Sequence, residues 1–312
     1  MTKILVTGAT GQIGSELTLA LREKYGRDNV IAAGNKTTPS DELKTSGPFI
    51  TLDVTDKEVL EKVVTKYNIT QIYHLVSLLS AVGEKNPDAA WFVNMTSLKN
   101  VLDIAKDKKL DKVFWPSSIA AFGPDTPREK TPQLTILNPS TMYGVTKVAG
   151  ELLCDYYFQK YNLDVRSLRY PGIISWKTDP GGGTTDYTVG MYKTAVKDNP
   201  TYECFVDEKT ILPMMYMPDA IKATIDLMEA KSQDITIRTS YNLAAISFSA
   251  KELEKEIQKH IPQFKCTYKP DFRQKIADSW PKTIDDSQAR KDWNWKPKYN
   301  LSTMTEDILK IR

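Results

Sequence analysis

The sequence predicts an α/β fold in which a doubly wound parallel sheet carries helices on both faces and a smaller lobe follows it. Two observations carry that expectation. Short apolar runs alternate with segments of helical periodicity through the first half of the chain, and a glycine-rich turn joins the first such run to the first helix. Beyond Pro171 the rhythm breaks into irregular, proline-bearing chain, where Pro180-Gly181-Gly182-Gly183 stands out.

Ile4-Leu5-Val6 reads as a buried strand, and Ile13, Leu17, Leu21 and Tyr25 then recur every four residues, giving one apolar helix face. Val30-Ile31-Ala32-Ala33, Phe49 to Asp53 and Gln71 to Val76 are the next three strands. Between the last two, Val59, Leu60, Val63 and Val64 lie at helical spacing, which predicts a helix from Asp56 to Tyr67. A longer helix is expected from about Ala89 to Asp107, then a strand at Lys112 to Trp115, a helix at Tyr143 to Tyr161 and a strand at Asp164 to Tyr170. Short helices follow at about Thr188–Lys197, Pro218–Ala230 and Ala250–Ile261, and Tyr241 to Ala244 is expected to return to the sheet as a strand. The expected division is a sheet domain of 1–173, rejoined by 237–261, and a discontinuous C-terminal lobe of 174–236 and 262–312. No repeat or flexible linker interrupts the chain, so the two bodies should share an interface.

A chain of 312 residues buries enough surface to need no disulfide or metal staple. Forty-two basic and 39 acidic residues leave a net charge of +3 without a basic block, which argues against a nucleic-acid or membrane-surface partner. Met1-Thr2-Lys3 leads directly into the first strand and no long apolar stretch follows, so a cytoplasmic protein is expected. Cys154, Cys204 and Cys266 are widely spaced, and the histidines are His74 and His260. No zinc site or other metal site is expected from that set, and packing or surface roles are assigned to all five.

Thr7-Gly8-Ala9-Thr10-Gly11-Gln12-Ile13-Gly14 follows the first strand and opens the first helix. Glycine permits the tight turn, removes side chains where backbone must approach a pyrophosphate, and lets helix N–H groups face the anion. The context makes this a dinucleotide-binding, Rossmann-type loop, with Gly8, Gly11, Gln12, Ile13 and Gly14 at the cofactor. The choice between NAD and NADP is open at this point. An acid ending the second strand would bond the adenosine 2′-hydroxyl and a cation would accept a 2′-phosphate, but here the strand ends Gly34-Asn35-Lys36. Asn35 can bond a ribose hydroxyl without repelling phosphate, and Lys36 is either a surface charge or a phosphate contact. Asp53-Val54 either contacts the adenine or, through Asp53, caps the following helix.

Tyr143-Gly144-Val145-Thr146-Lys147 places a phenol and an ammonium four residues apart on one helix face. A tyrosine with an ordinary pKa of about 10 is a weak base at neutral pH, and a neighbouring cation favours the phenolate. Ser117 and Ser118 lie just after the Lys112–Trp115 strand, at the end where open α/β sheets bind ligands, and Ser118 is the better placed of the pair to bond a reacting hydroxyl.

The glycine loop, the serine pair and Tyr143 with Lys147 together resemble the extended short-chain dehydrogenase/reductases over the whole chain. Asn94, Tyr170-Pro171-Gly172 and Trp293-Asn294-Trp295-Lys296-Pro297 are similar to further family features, Asn94 being like the family's cofactor-supporting asparagine. The family spacing of the catalytic hydroxyl, five residues before Gly123, selects Ser118. The cofactor set that the resemblance implies also includes Leu75, Val76 and Tyr170, besides Tyr143 and Lys147. Within the family, Ser175-Trp176, Gly181-Gly182-Gly183-Thr184-Thr185-Asp186-Tyr187 and Met214 to Ala220 resemble the metal-independent, short-chain type of L-threonine 3-dehydrogenases.

That resemblance implies NAD-dependent oxidation of L-threonine at its 3-hydroxyl to 2-amino-3-oxobutyrate. Tyr143 would act as base, Lys147 would bond the nicotinamide ribose and stabilise the phenolate, and Ser118 would orient the substrate oxygen. It also implies Ser80, Thr184 and Thr185 as substrate contacts, Trp280 as a possible shield against water, and a homodimer through the helices near 90–107 and 143–161. Two alternatives stay open: a nucleotide-sugar epimerase or dehydratase using the same residues, and a non-catalytic dinucleotide sensor.

Overall fold

The computed structural model describes residues 2–177 and 181–310, so Pro180 lies outside the described residues. The central sheet contains β1 (Ile4–Thr7), β2 (Val30–Gly34), β3 (Phe49–Thr51), β4 (Gln71–His74), β5 (Lys112–Ser118), β6 (Val165–Tyr170) and the short strand Tyr241–Asn242. Their spatial order is β3-β2-β1-β4-β5-β6 with Tyr241–Asn242 outermost, and every neighbouring pair is parallel. The chain winds outward from β1 in both directions, so the sheet has a switch point between β1 and β4.

Both faces of this sheet are covered, which explains why its strands are apolar at consecutive positions rather than at alternate ones. Leu5, Ile31, Ile72 and Val113 enter a core that includes Leu60 and Val64 of the helix Lys57–Lys66 and Leu98, Val101 and Leu102 of the helix Ser97–Asp107. Their neighbours Ile4, Val6, Val30, Tyr73 and Phe114 enter the opposite core with Leu17 and Leu21 of the helix Gln12–Tyr25 and Leu227 of the helix Met217–Glu229. A third core, with Met191, Tyr192, Phe248, Leu253, Phe264, Trp280 and Met304, fills the lobe.

The lobe holds a sheet ordered Ile246–Ser249, Ile211–Tyr216, Gly172–Ile174 and a parallel pair Thr201–Cys204 with Lys265–Tyr268. The chain crosses between the two bodies more often than the expected boundaries allow. Tyr241–Asn242 joins β6, but the residues after it leave: Ile246–Ser249 pairs with Ile211–Tyr216, and Ala250–His260 packs on Tyr187–Ala195 and Leu301–Lys310. Conversely, Met217–Glu229 packs against Gln12–Tyr25 and β6 on the sheet side. Apolar periodicity marks a helix face for burial without saying which core buries it.

Element ends move where local chemistry decides them. Asp56, not Asp53, caps the helix Lys57–Lys66, its carboxylate accepting from the Val59 N–H at 3.1 Å. The long helix begins at Pro87 with Asn86 as its cap and contains a π-helical turn at Phe92–Thr96. β5 runs on to Ser118, whereas β4 stops at His74 and leaves Leu75 and Val76 in the loop beyond it.

Candidate active site

The loops after β1 and β4 meet at the switch point, and the geometry there fits a dinucleotide. Gly8 has φ +74°, and a Cβ on it would lie 3.0 Å from the Leu75 carbonyl carbon and the Val76 nitrogen. At Gly14 a Cβ would stand 2.1 Å from the Gly8 carbonyl oxygen, so the first helix could not pack so close to the loop with any side chain there. Gly11 occupies the N-cap of Gln12–Tyr25 without a side-chain cap, which leaves the first-turn N–H groups to an anion.

Two adjoining pockets share Gly8, Gly11, Leu75 and Ser77. One contains Asn35, Lys36, Asp53, Val54 and Val76 and suits an adenosine. The other contains Gln12, Ile13, Gly14, Ser80, Ser118, Tyr143, Lys147, Tyr170, Thr184, Thr185 and Trp280 and suits the reacting end. Gln12 reaches across this second pocket, donating to the Ile173 carbonyl at 3.4 Å.

The serine pair is divided by its neighbours. Ser117 is buried and donates to Glu151 at 2.5 Å, while Ser118 accepts from the Ala120 N–H at 3.2 Å and lines the pocket with Tyr143. Burial pushes the phenol up to about 12, and the Ser118 hydrogen bond works against that rise. Lys147 is buried as well; its ammonium donates to the Pro116 carbonyl at 2.6 Å and lies 5.2 Å from the Tyr143 ring centre. Burial lowers Lys147 to about 7, with Cys154 and then Glu151 acting in the opposite direction. Burial thus holds Tyr143 above and Lys147 below their ordinary values in this pocket.

Behind Ser118 and Lys147, Glu151 pairs with Arg169 through bonds of 2.9 and 2.7 Å. Arg169 also donates to Asn242 at 2.9 Å and to the Gln133 carbonyl at 3.1 Å, and Asn242 donates onward to the Asp285 carbonyl at 3.2 Å. One buried network thus joins the Tyr143–Lys147 helix, the strand carrying Ser118 and a segment of the lobe.

Not every expected residue faces a pocket. Asn94, on the π-helical turn, accepts from the Leu78 N–H at 2.7 Å and donates to the Leu78 carbonyl at 3.2 Å and to Thr146 at 3.1 Å, so it fastens the loop after β4 to the helix Met142–Tyr161. Tyr170 lines the reacting pocket, yet its hydroxyl bonds to Thr224 in the core and burial pushes it upward. Asp53 accepts from the Thr55 N–H and hydroxyl at 2.9 and 2.6 Å, a local turn that leaves it exposed in the adenosine pocket. Ser80 opens the helix Ser80–Lys85 rather than lying in a loop. His74 is fully buried between Thr7 and Ser97 at 2.8 and 3.0 Å, and burial lowers it to about 3. Among the described residues no group of three or more His, Cys, Asp or Glu could hold a metal ion, and no helix is long and apolar enough to cross a membrane.

Sequence reasoning missed four polar groups. Ser77 lines both pockets and its buried hydroxyl has no partner among the described residues. Asp186 faces the reacting pocket while accepting from the Gly182 and Gly183 N–H groups at 2.8 and 2.6 Å; the glycines just before an acid were its available signal. Glu151 and Arg169 carried none, because they are eighteen positions apart in sequence. Thr184, which was expected, is 1% exposed and its hydroxyl also lacks a partner among the described residues.

A sheet wound about a glycine cradle, with Ser118, Tyr143 and Lys147 lining the pocket beside it, belongs to an enzyme of oxidoreductase type that uses a dinucleotide. The model of the NAD-dependent epimerase/dehydratase family matches residues 4–244, and the chain belongs to that family; its dinucleotide is NAD. An uncharacterized epimerase/dehydratase of Staphylococcus haemolyticus is 50% identical over 311 residues, covering 99% of this chain and 97% of that relative. Among solved structures, the GalE-like L-threonine dehydrogenase of Cupriavidus necator, in its holo form, is 52% identical with a TM-score of 0.96 over 99% of both chains. A monomeric L-threonine 3-dehydrogenase from a metagenome, in its apo form, is 53% identical with a TM-score of 0.94 over 99% of this chain and 98% of that one.

Proposed function

We propose that this enzyme oxidises L-threonine at its 3-hydroxyl to 2-amino-3-oxobutyrate. The observation that carries the reading is the orphaned, buried Thr184 hydroxyl beside Ser118 and Tyr143 in one pocket, on a chain similar to threonine dehydrogenases. NAD, held by Gly8, Gly11, Gln12, Ile13 and Gly14 and flanked by Asn35, Asp53, Val54, Leu75 and Val76, supplies the hydride acceptor. Ser118 orients the substrate hydroxyl, Tyr143 takes its proton, and Lys147 steadies the phenolate that does so. Asn94 holds the catalytic helix from behind, and Tyr170 shapes the pocket beside it. Ser80, Thr184 and Thr185 supply hydroxyls for the substrate carboxylate, with Trp280 closing the pocket against water. Each role in this scheme falls to a side chain or to the dinucleotide, so the reading assigns no step to a metal.

Thr184→Val tests the substrate assignment. A hydrogen bond to a charged group contributes about 1.5–3 kcal/mol, so KM for threonine should rise roughly tenfold or more while the dissociation constant for NAD holds. The thermal midpoint should hold or rise, because valine removes a buried hydroxyl that has no partner. An unchanged KM removes Thr184 from the substrate site.

We further propose a homodimer. Val145, Leu152 and Tyr156 form an exposed apolar stripe on the helix Met142–Tyr161, and Trp91, 48% exposed, extends it on the neighbouring helix. Sedimentation at micromolar concentration should give about twice the chain mass, and Leu152→Glu should give the monomer; a wild-type monomer, the state named for the metagenome relative, refutes this assembly. We also propose the cytoplasm as the compartment, a reducing one that would keep Cys154, Cys204 and Cys266 as free thiols.

A further inference from the structure

We propose that Glu16 is a positioning residue for the substrate, acting through the strand Gly172–Ile174 on Thr185; the inference rests on the threonine reading for the role of Thr185. That strand is the outer member of its three-stranded sheet, paired on one edge with Ile211–Tyr216. Its other edge has no ladder among the described residues, so side chains must hold it. Two of them come from the helix Gln12–Tyr25, four residues apart on one face. Gln12 donates to the Ile173 carbonyl at 3.4 Å, and Glu16 accepts from the Ser175 hydroxyl at 2.9 Å.

The strand in turn supports Thr185. A Cβ at Gly172 would lie 2.7 Å from the Thr185 Cγ2 and 2.8 Å from its Cβ, so Thr185 rests on the bare backbone of Gly172. Gly172 and Thr185 line the reacting pocket together. One end of this run of contacts is the helix whose first turn faces the dinucleotide, and the other is a proposed substrate contact. Of the two bonds from the helix, the one to Glu16 is the stronger. It is short, its acceptor is a carboxylate, and Ser175 is buried, whereas the Gln12 bond is long and neutral. Burial raises Glu16, the Ser175 bond and then Lys177 pull it down, and Glu42 adds to the rise. An acid held partly out of water is destabilising in itself. What it supplies here is direction, because a hydrogen bond fixes the strand where apolar contact alone would let it slide.

The test compares Glu16→Ala, Ser175→Ala, the double variant and Glu16→Gln on the full chain. Hydrogen exchange of the ligand-free proteins reads the link without any substrate. In Glu16→Ala the amides of 183–192 should exchange at least about fivefold faster, while those of the helix Met142–Tyr161 hold. Steady-state kinetics read the consequence. Glu16→Ala should raise KM for threonine about five- to tenfold, hold kcat within about twofold and leave the dissociation constant for NAD alone, because a loosened Thr185 weakens ground and transition states alike. The double variant should match either single one, since both remove the same bond. Glu16→Gln, whose amide oxygen still accepts from Ser175, should restore KM to within about twofold of the wild type. Unchanged exchange over 183–192 in Glu16→Ala, or exchange quickened equally in the helix Met142–Tyr161, overturns the proposal. So do KM effects that multiply in the double variant, or a Glu16→Gln protein as impaired as the alanine one. Quickened exchange confined to 183–192, in a chain that does not oxidise threonine, supports the link and removes the substrate reading instead.

Discussion

Tyr143→Phe is expected to bind NAD as the wild type does and to oxidise its substrate about 10²–10⁴-fold more slowly, the range that a positioned proton acceptor contributes. In the proposed scheme the phenol takes the substrate proton, and Ser118 works against the rise that burial imposes on it. Phenylalanine keeps the ring and its packing, so fluorescence titration with NAD should be normal while kcat collapses. The pH profile separates this from a structural defect. Because burial raises Tyr143 to about 12, it is a phenol at neutral pH, and the base form grows as pH rises toward that value. Wild-type turnover should therefore climb from neutral into alkaline solution. Lys147, lowered to about 7, loses its proton over the same interval, so the climb should be shallower than tenfold per pH unit. In Tyr143→Phe the residual rate should lack this climb. Turnover within a few-fold of wild type would remove Tyr143 from the proton step.

Glu151→Ala is expected to destabilise the fold by about 3–5 kcal/mol, the usual cost of breaking a buried ion pair by removing one partner. Arg169 would be left 3% exposed without its carboxylate, and Ser117 would lose its acceptor. The variant should show a thermal midpoint lower by several degrees. Glu151→Gln retains the shape and one acceptor, so it should fold better and expose a functional effect. Glu151 helps to hold the proton on Lys147, and its neutralisation should lower that pKa below about 7. The sign follows directly: less cation at neutral pH, and a loss of Lys147-dependent activity that begins at lower pH. A thermal midpoint within about one degree of wild type in Glu151→Ala contradicts the structural half of this account. An unshifted pH profile in Glu151→Gln contradicts the functional half.

Much of the fold was legible because its signals are local. Consecutive apolar residues marked strands buried on both faces, and the glycine spacing marked a turn that admits no Cβ at Gly14. The lobe was less legible. Thr201–Cys204 pairs with Lys265–Tyr268 some sixty residues later, and Ile211–Tyr216 carries Pro213 within a strand. In the site, Tyr143 and Lys147 were readable from helical spacing, but the separation of Ser117 from Ser118 depends on Glu151, which only the folded chain brings to Ser117. Asn94 was named as a cofactor support, and its bonds to Leu78 and Thr146 place it behind the pocket wall on a turn whose π geometry has no signature in side-chain periodicity.

The central claim concerns net oxidation of a small hydroxy-amino acid. It is tested most directly by mixing the purified chain with NAD and L-threonine and following the absorbance of reduced nicotinamide alongside the amount of threonine consumed. One reduced dinucleotide per threonine, with 2-amino-3-oxobutyrate as product, is the expected result. No reduced dinucleotide from threonine, together with tightly retained NAD and conversion of a nucleotide sugar without net reduction, would contradict it.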